Sequence, residues 1–244
     1  MKVAILGGTR GMGRSLARQF AERGDAVCLL GRDQADLDKS ADDLRSRHGG
    51  EASVVLCDLE KPYEFGAVLG AAADRLGGLD TVVVTAAMFA TQDALENDPS
   101  LAGKMLTVNF TNTIQFCEEA RKRLLAAGGG TLCVFSSVAG ERGRRPIILY
   151  GASKAGLSAY LEGLDHKFRA HGLRTVCVKP GFVKTGMTAG LKPPPFAGEP
   201  DAVARRVLRA IDAGKPVVYA PGIWALLMWV IRHLPRAVMR RIGF

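Results

Sequence analysis

Histidine is scarce in this chain, acid is outnumbered by base, and no apolar run is long enough to cross a bilayer. The 244 residues hold four histidines, five cysteines, and 24 acidic against 33 basic side chains, for a net charge of +9. His48, His166, His171 and His233 share no ligand spacing and read as surface residues. Cys28, Cys57, Cys117, Cys133 and Cys177 form no CxxC pair, and four of them fall in or beside expected strands. Buried free thiols in a reducing compartment are therefore expected, and neither a disulfide framework nor a metal site is. Glycines interrupt the opening run Met1-Lys2-Val3-Ala4-Ile5-Leu6 too soon for a signal peptide. The basic residues are dispersed and match no nucleic-acid recognition motif, which argues against a nucleic-acid partner. No linker, repeat or low-complexity block divides the chain, so one domain is expected over 1–222, followed by an apolar and basic tail over 223–244.

What is present is an alternation of short apolar runs with helix-like stretches. Strands are expected at 2–6, 26–30, 52–56, 81–85, 131–136, 174–179 and 216–219, which calls for a parallel seven-stranded sheet with helices on both faces. The first strand runs into Gly7-Gly8-Thr9-Arg10-Gly11-Met12-Gly13 and then a helix from Arg14 to Arg23, ended by Gly24. Glycines in such a turn let the backbone bend sharply and approach a pyrophosphate resting on the exposed N–H groups of the helix start.

Further along stands Tyr150-Gly151-Ala152-Ser153-Lys154, with Ser137 thirteen residues upstream. A phenol and an ammonium four residues apart share one helix face. Bringing a phenol from its usual pKa near ~10 to ~7 takes about 4 kcal/mol, and Lys154 is the nearby candidate to supply it. Taken alone, such a pair is more often two surface residues of an amphipathic helix. Ser136 is expected to point to the opposite side of its strand from Ser137.

The glycine turn, Ser137, Tyr150 and Lys154 together resemble the short-chain dehydrogenase/reductase family over residues 1 to about 220. The resemblance implies a single-domain α/β Rossmann fold binding a nicotinamide dinucleotide. It also implies that Asp58-Leu59 contacts adenine and that Asn109 completes a tetrad by positioning a water that links Lys154 to solvent. Pro180-Gly181-Phe182-Val183-Lys184-Thr185 matches the turn that holds the nicotinamide carboxamide through its backbone, Val183 and Thr185. In such an enzyme Tyr150 gives a proton to a carbonyl oxygen, Ser137 hydrogen-bonds that oxygen, and Lys154 holds down the phenol and reaches the nicotinamide ribose. One departure is visible: the family carries Asn-Asn-Ala-Gly after the fourth strand, where this chain has Val84-Thr85-Ala86-Ala87. Ala86 and Ala87 still let the backbone approach a ribose, but Thr85 or a water must take over the asparagine's buttressing.

The end of the second strand decides between cofactors. An acid there accepts the ribose hydroxyls of NADH, and a cation receives the 2′-phosphate of NADPH. Eighteen residues past Gly13 stands Gly31, followed by Arg32, and Arg10 lies in the glycine turn, so two guanidiniums are available to a phosphate. The rival is Asp33. We read it as the cap of the next helix, with Asp36 in its first turn, which favours NADPH over NADH.

The segment Glu141-Arg142-Gly143-Arg144-Arg145 puts three arginines beside the reaction centre, and Lys184 and Lys192 lie in the segment expected to cover the substrate. An anionic substrate is one reading; a solvated loop or a subunit contact is the other. In the tail, Ile223 to Ile231 is uninterrupted apolar and is followed by Arg232, Arg236, Arg240 and Arg241. Nine residues are too few to span a bilayer. They suit either an interfacial helix facing anionic lipid or a helix packed over the site or another subunit. The loop and tail also resemble the branch containing decaprenylphosphoryl-2-keto-ribose reductase, which implies a lipid-linked keto-sugar substrate and a cytoplasmic protein at the inner face of the membrane. The alternatives are a cytosolic ketoreductase acting on an acyl, steroid or small ketone substrate, and a non-catalytic dinucleotide sensor. Family analogy implies a homodimer or homotetramer.

Overall fold

The computed structural model describes residues 1–242, so Gly243 and Phe244 of the tail lie outside the described residues. Seven parallel strands lie in the order β3-β2-β1-β4-β5-β6-β7. They are β1 (Lys2–Leu6), β2 (Ala26–Gly31), β3 (Ala52–Leu56), β4 (Thr81–Val84), β5 (Gly130–Phe135), β6 (Leu173–Pro180) and β7 (Val217–Ala220). Apolar residues fill both faces of the inner strands, as a doubly covered parallel sheet demands. In β1, Val3 and Ile5 enter the core under α1 (Gly11–Glu22), α2 (Gln34–His48) and α8 (Pro200–Asp212). Ala4 and Leu6 enter the opposite core under α3 (Phe65–Leu76), α6 (Thr113–Ala126) and α7 (Ile148–Phe168). Phe20, Phe65 and Phe116 are the largest fully buried side chains of the two layers.

The chain reverses its direction of winding between β1 and β4, which pair directly. Ligands of such sheets bind at the carboxyl ends beside this reversal. There the order is β4, α4 (Gln92–Asn97), α5 (Pro99–Leu106), a π-helical turn Thr107–Asn112, then α6. After β7 come α9 (Ile223–His233) and α10 (Arg236–Arg241).

Strands β1 and β3 match the expected bounds, the other five strands differ by one residue at one or both ends, and the first helix runs 11–22 rather than 14–23. The first helix begins at Gly11 rather than Arg14, because Gly11 adopts φ +53 and closes the turn early. Consequently the N–H groups of Gly11, Met12 and Gly13 form the open first turn. The last strand is shifted by one residue, to 217–220. All five cysteines are buried and unpaired, as expected. Three histidines are exposed, but His48 is half-buried.

Candidate active site

The glycine turn is a cradle that side chains would fill. A Cβ on Gly13 would lie 2.2 Å from the Gly7 carbonyl oxygen and 2.5 Å from Thr85 Oγ1. Gly7 has φ +88, and its Cβ would lie 2.7 Å from the Ala86 nitrogen. Thr85 Oγ1 lies 3.0 Å from both the Leu6 and Gly7 carbonyl oxygens, so one hydroxyl ties β4 to the turn where the family has asparagine.

Above this cradle opens a cleft of about 540 Å³. Gly7, Thr9, Arg10, Gly11, Met12 and Gly13 line one wall; Arg32, Asp58 and Leu59 line a second, and Ala86, Ala87 and Thr185 a third. Pro180, Gly181 and Val183 lie outside that lining, at the end of β6 and in the turn that follows it. The residues present fit a dinucleotide: the helix start is open, Gly7 and Gly13 leave no room for side chains, and Arg32 stands just past the end of β2, with Asp33 and Asp36 also lining the cleft. Asp33 caps α2, its carboxylate accepting the Asp36 N–H at 3.0 Å, as the sequence reading expects. Asp36 itself pairs with Arg10, whose Nε donates at 3.0 Å, so Arg10 is already engaged within the chain. Asp58 accepts the Glu60 N–H at 3.0 Å, which fixes its turn.

Beside the cleft, the Ser137 turn lies directly on α7. A Cβ on Gly140 would lie 2.6 Å from the Ala155 nitrogen, and one on Gly151 2.8 Å from the Ala139 oxygen, so only glycine permits this approach. It brings Ser137 beside Tyr150, where its hydroxyl opposes the burial-driven rise of the phenol's pKa, and Ser137 Oγ accepts the Ala139 N–H at 3.0 Å. Ser136 turns away as expected, donating to the Lys154 carbonyl at 2.8 Å. The Phe89 ring packs edge-on against Tyr150 at 5.4 Å. Gln92, buried in α4, accepts the Leu149 N–H at 3.2 Å and so satisfies one open donor at the start of α7.

Lys154 is 2% exposed, and its ammonium donates to the Phe135 carbonyl at 2.8 Å, 5.8 Å from the Tyr150 ring centre. Burial lowers its pKa to about 8. The sequence expectation that Lys154 depresses the phenol is corrected here. Burial pushes Tyr150 up to about 12, Ser137 opposes this in part, and the ammonium points at a carbonyl instead. Desolvation outweighs a cation 5.8 Å from the ring centre. The Asn109 side chain is engaged within the chain. Both ends of its amide are committed to Met88, accepting the N–H at 2.7 Å and donating to the carbonyl at 2.8 Å. It thereby fixes the loop after β4 from within the π-helical turn, a feature common at functional sites.

The charged loop after Ser137 meets the tail. Arg142 donates to the Leu234 carbonyl at 2.7 Å, and Arg145 donates to the Arg240 carbonyl. Arg144 is half-buried, and burial lowers its pKa. Lys184 pairs with Glu199 at 2.5 Å, and Lys192 is exposed. Thus two of the three arginines face carbonyl groups of this chain. Glu141, overlooked in the sequence, is the buried acid of the loop; it pairs with Lys179 and, at 3.2 Å, with Arg232. Only its position after a Ser-Val-Ala-Gly turn hinted at it.

The short chain dehydrogenase family matches residues 1–195. An uncharacterized oxidoreductase of Mycobacterium tuberculosis is 32% identical over 98% of this chain and 96% of its own length. One from Streptomyces coelicolor is 33% identical over 98% and 94%. Carbonyl reductase family member 4 of Xenopus laevis is 28% identical over 86% and 90%. Among solved structures, a short-chain type dehydrogenase/reductase of Mycobacterium ulcerans superposes with a TM-score of 0.80 at 21% identity, covering 89% of this chain and 86% of that one. A variant of actinorhodin polyketide ketoreductase with NADPH also reaches 0.80, at 23% identity and 89% and 95% coverage. With that sheet order, that glycine cradle and Ser137 against Tyr150, the chain belongs to the short-chain dehydrogenase family of oxidoreductases.

Proposed function

We propose that the protein is an NADPH-dependent carbonyl reductase acting on an anionic or lipid-linked keto-sugar. The observation that carries the reading is Ser137 set beside Tyr150, with the buried Lys154 ammonium 5.8 Å from the Tyr150 ring centre, next to the glycine cradle. When bound, the dinucleotide supplies the hydride.

The chain's own groups do the rest. Tyr150, pushed up to about 12, stays protonated at neutral pH and holds the proton that a carbonyl oxygen takes up. Ser137 donates to the same oxygen and orients it. Lys154, lowered to about 8, is the cation that meets the phenolate left behind. Asn109 keeps the loop bearing Met88 and Phe89 in place, so that Phe89 shields the phenol. Arg32 at the end of β2 supports the preference for a 2′-phosphate, with Arg10 joining it once released from Asp36. Gly7, Gly11, Gly13, Asp58, Thr185 and the Pro180–Gly181 turn hold the remainder of the dinucleotide in this reading.

The tail supports a lipid-linked substrate. Among the described residues no helix is long and apolar enough to cross a membrane. Nevertheless α9 exposes Ile223, Leu226, Trp229 and Val230, and α10 adds exposed Arg236, Arg240 and Arg241 beside them, the composition of an interfacial helix on anionic lipid. Arg144, and Lys184 once released from Glu199, are the residues we assign to an anionic group. A second reading, a ketoreductase on a soluble ketone, is favoured by the likeness to a carbonyl reductase of Xenopus laevis.

The test is NADPH oxidation with a panel of soluble ketones, keto-sugar phosphates and polyprenyl-phosphate keto-sugars. Tyr150→Phe should lower kcat/KM by about 10²-fold or more. Undiminished turnover in that variant rejects the acid assignment, and preference for an uncharged soluble ketone, with no sedimentation on anionic vesicles, selects the second reading.

A further inference from the structure

We infer that Glu141 is a positioning residue, whose carboxylate ties the last turn of α9 to the loop after Ser137 and to the ends of β6 and β7. The inference rests on the reading of Ser137 and Tyr150 as that centre. Glu141 lies four residues past Ser137, with its side chain 5% exposed. Three donors converge on it from three elements. Lys179 comes from the end of β6, one residue before Pro180; the Tyr219 hydroxyl of β7 donates at 3.1 Å; Arg232, in the last turn of α9, lies at 3.2 Å.

A buried carboxylate with two cations and a phenol is satisfied only while all three elements keep their places. Next to it, Arg142 donates to the Leu234 carbonyl just past α9. The opposite end of α9 is fixed by Trp224. Its indole covers Gly181 so closely that a Cβ there would lie 2.0 Å from Nε1. The helix is therefore pinned at one end to the Ser137 loop and at the other to the turn after β6.

Burial alone does not hold α9 there. Of its eleven residues only Met228 is buried, while Leu226 and Trp229 are 59% and 57% exposed. With so little apolar area removed from water, the polar clamp sets where the helix sits. No residue of α9 lines the dinucleotide cleft. Arg232 holds the end of α9 far from Trp224 to the loop after Ser137, so loosening it is expected to disturb Ser137, which meets the carbonyl substrate, more than the dinucleotide. An ion pair that merely stabilised the fold would affect both alike.

Arg232→Met removes the α9 half of the clamp but leaves Glu141 neutralised by Lys179, and Glu141→Gln removes the charge itself. Hydrogen exchange should speed up about tenfold over residues 224–233 in Arg232→Met, with little change in the central strands. The KM for the best carbonyl substrate of the panel should rise about fivefold or more, with the KM for NADPH within about twofold. The double variant should be no worse than the more impaired single one, because both break one clamp. Unchanged exchange over 224–233, parallel rises in both KM values, or additive losses would each overturn the inference. Should Glu141→Gln fail to fold, Arg232→Met alone decides by the same readouts. Full activity in Tyr150→Phe would sink the functional reading only, since the exchange measurement judges the clamp without turnover.

Discussion

Replacing Lys154 by Met is expected to raise stability at neutral pH while abolishing turnover. Burial lowers the ammonium from 10.5 to about 8. At about 1.36 kcal/mol per unit, the folded protein carries a penalty of about 3 kcal/mol for that charge below pH 8. The sign follows from proton counts. Between about 8 and 10.5 the unfolded chain keeps the proton that the folded one has released, so stability rises with pH across that window. The contribution is fully present above 10.5 and lost as pH falls through about 8. Methionine matches the stem without the charge, but leaves the Phe135 carbonyl without its donor, at about 1 kcal/mol. The variant should therefore be about 2 kcal/mol more stable near pH 7, and this gain should shrink and reverse towards pH 10. Urea unfolding of both proteins from pH 6 to 10 measures it. Only the difference is interpretable, because the buried thiols and Tyr150, all raised by burial, impose the same alkaline loss on both. A difference independent of pH, or a variant less stable at pH 7, would refute the argument.

Gly13→Ala forces a Cβ against the Gly7 carbonyl, so stability should fall by about 1–3 kcal/mol and NADPH binding with it; thermal melts and a fluorescence titration check both. An alanine variant that binds normally would mean that the turn is not the cradle. Thr85→Val removes the hydroxyl shared by the Leu6 and Gly7 carbonyls, with an expected loss of about 1–2 kcal/mol in urea unfolding; no loss would mean that the hydroxyl does not buttress the turn. Arg32→Asp should weaken NADPH by about tenfold more than NADH, and equal losses would remove Arg32 from cofactor selection.

The sheet, its order of elements and the glycine cradle were legible because each rests on a local pattern: an apolar run, a glycine turn, a helix start. Ser137, Tyr150 and Lys154 were legible for the same reason, as one spacing on one helix and the strand before it. The Tyr150 pKa was not, since its direction depends on how much water is excluded, which no spacing encodes. Charge in the loop was visible while its destination was hidden. Arg142 and Arg145 read as anion binders, yet they meet carbonyls 92 and 95 residues away. Glu141, Gln92 and Trp224 stayed invisible because each acts through a long-range contact made by an otherwise ordinary residue.

The distribution of the thiols gives the molecule built-in reporters of its own breathing. Cys28 lies in β2, Cys133 in β5, Cys177 in β6 and Cys117 in α6, all buried, and Cys57 follows β3 near the sheet edge. An alkylating reagent reaches each sulfur only when its neighbourhood opens, so five labelling rates record how opening spreads from the margin of the sheet to its middle. No probe has to be engineered, and reagent access at Cys57 ahead of Cys133 would trace unfolding inward from β3.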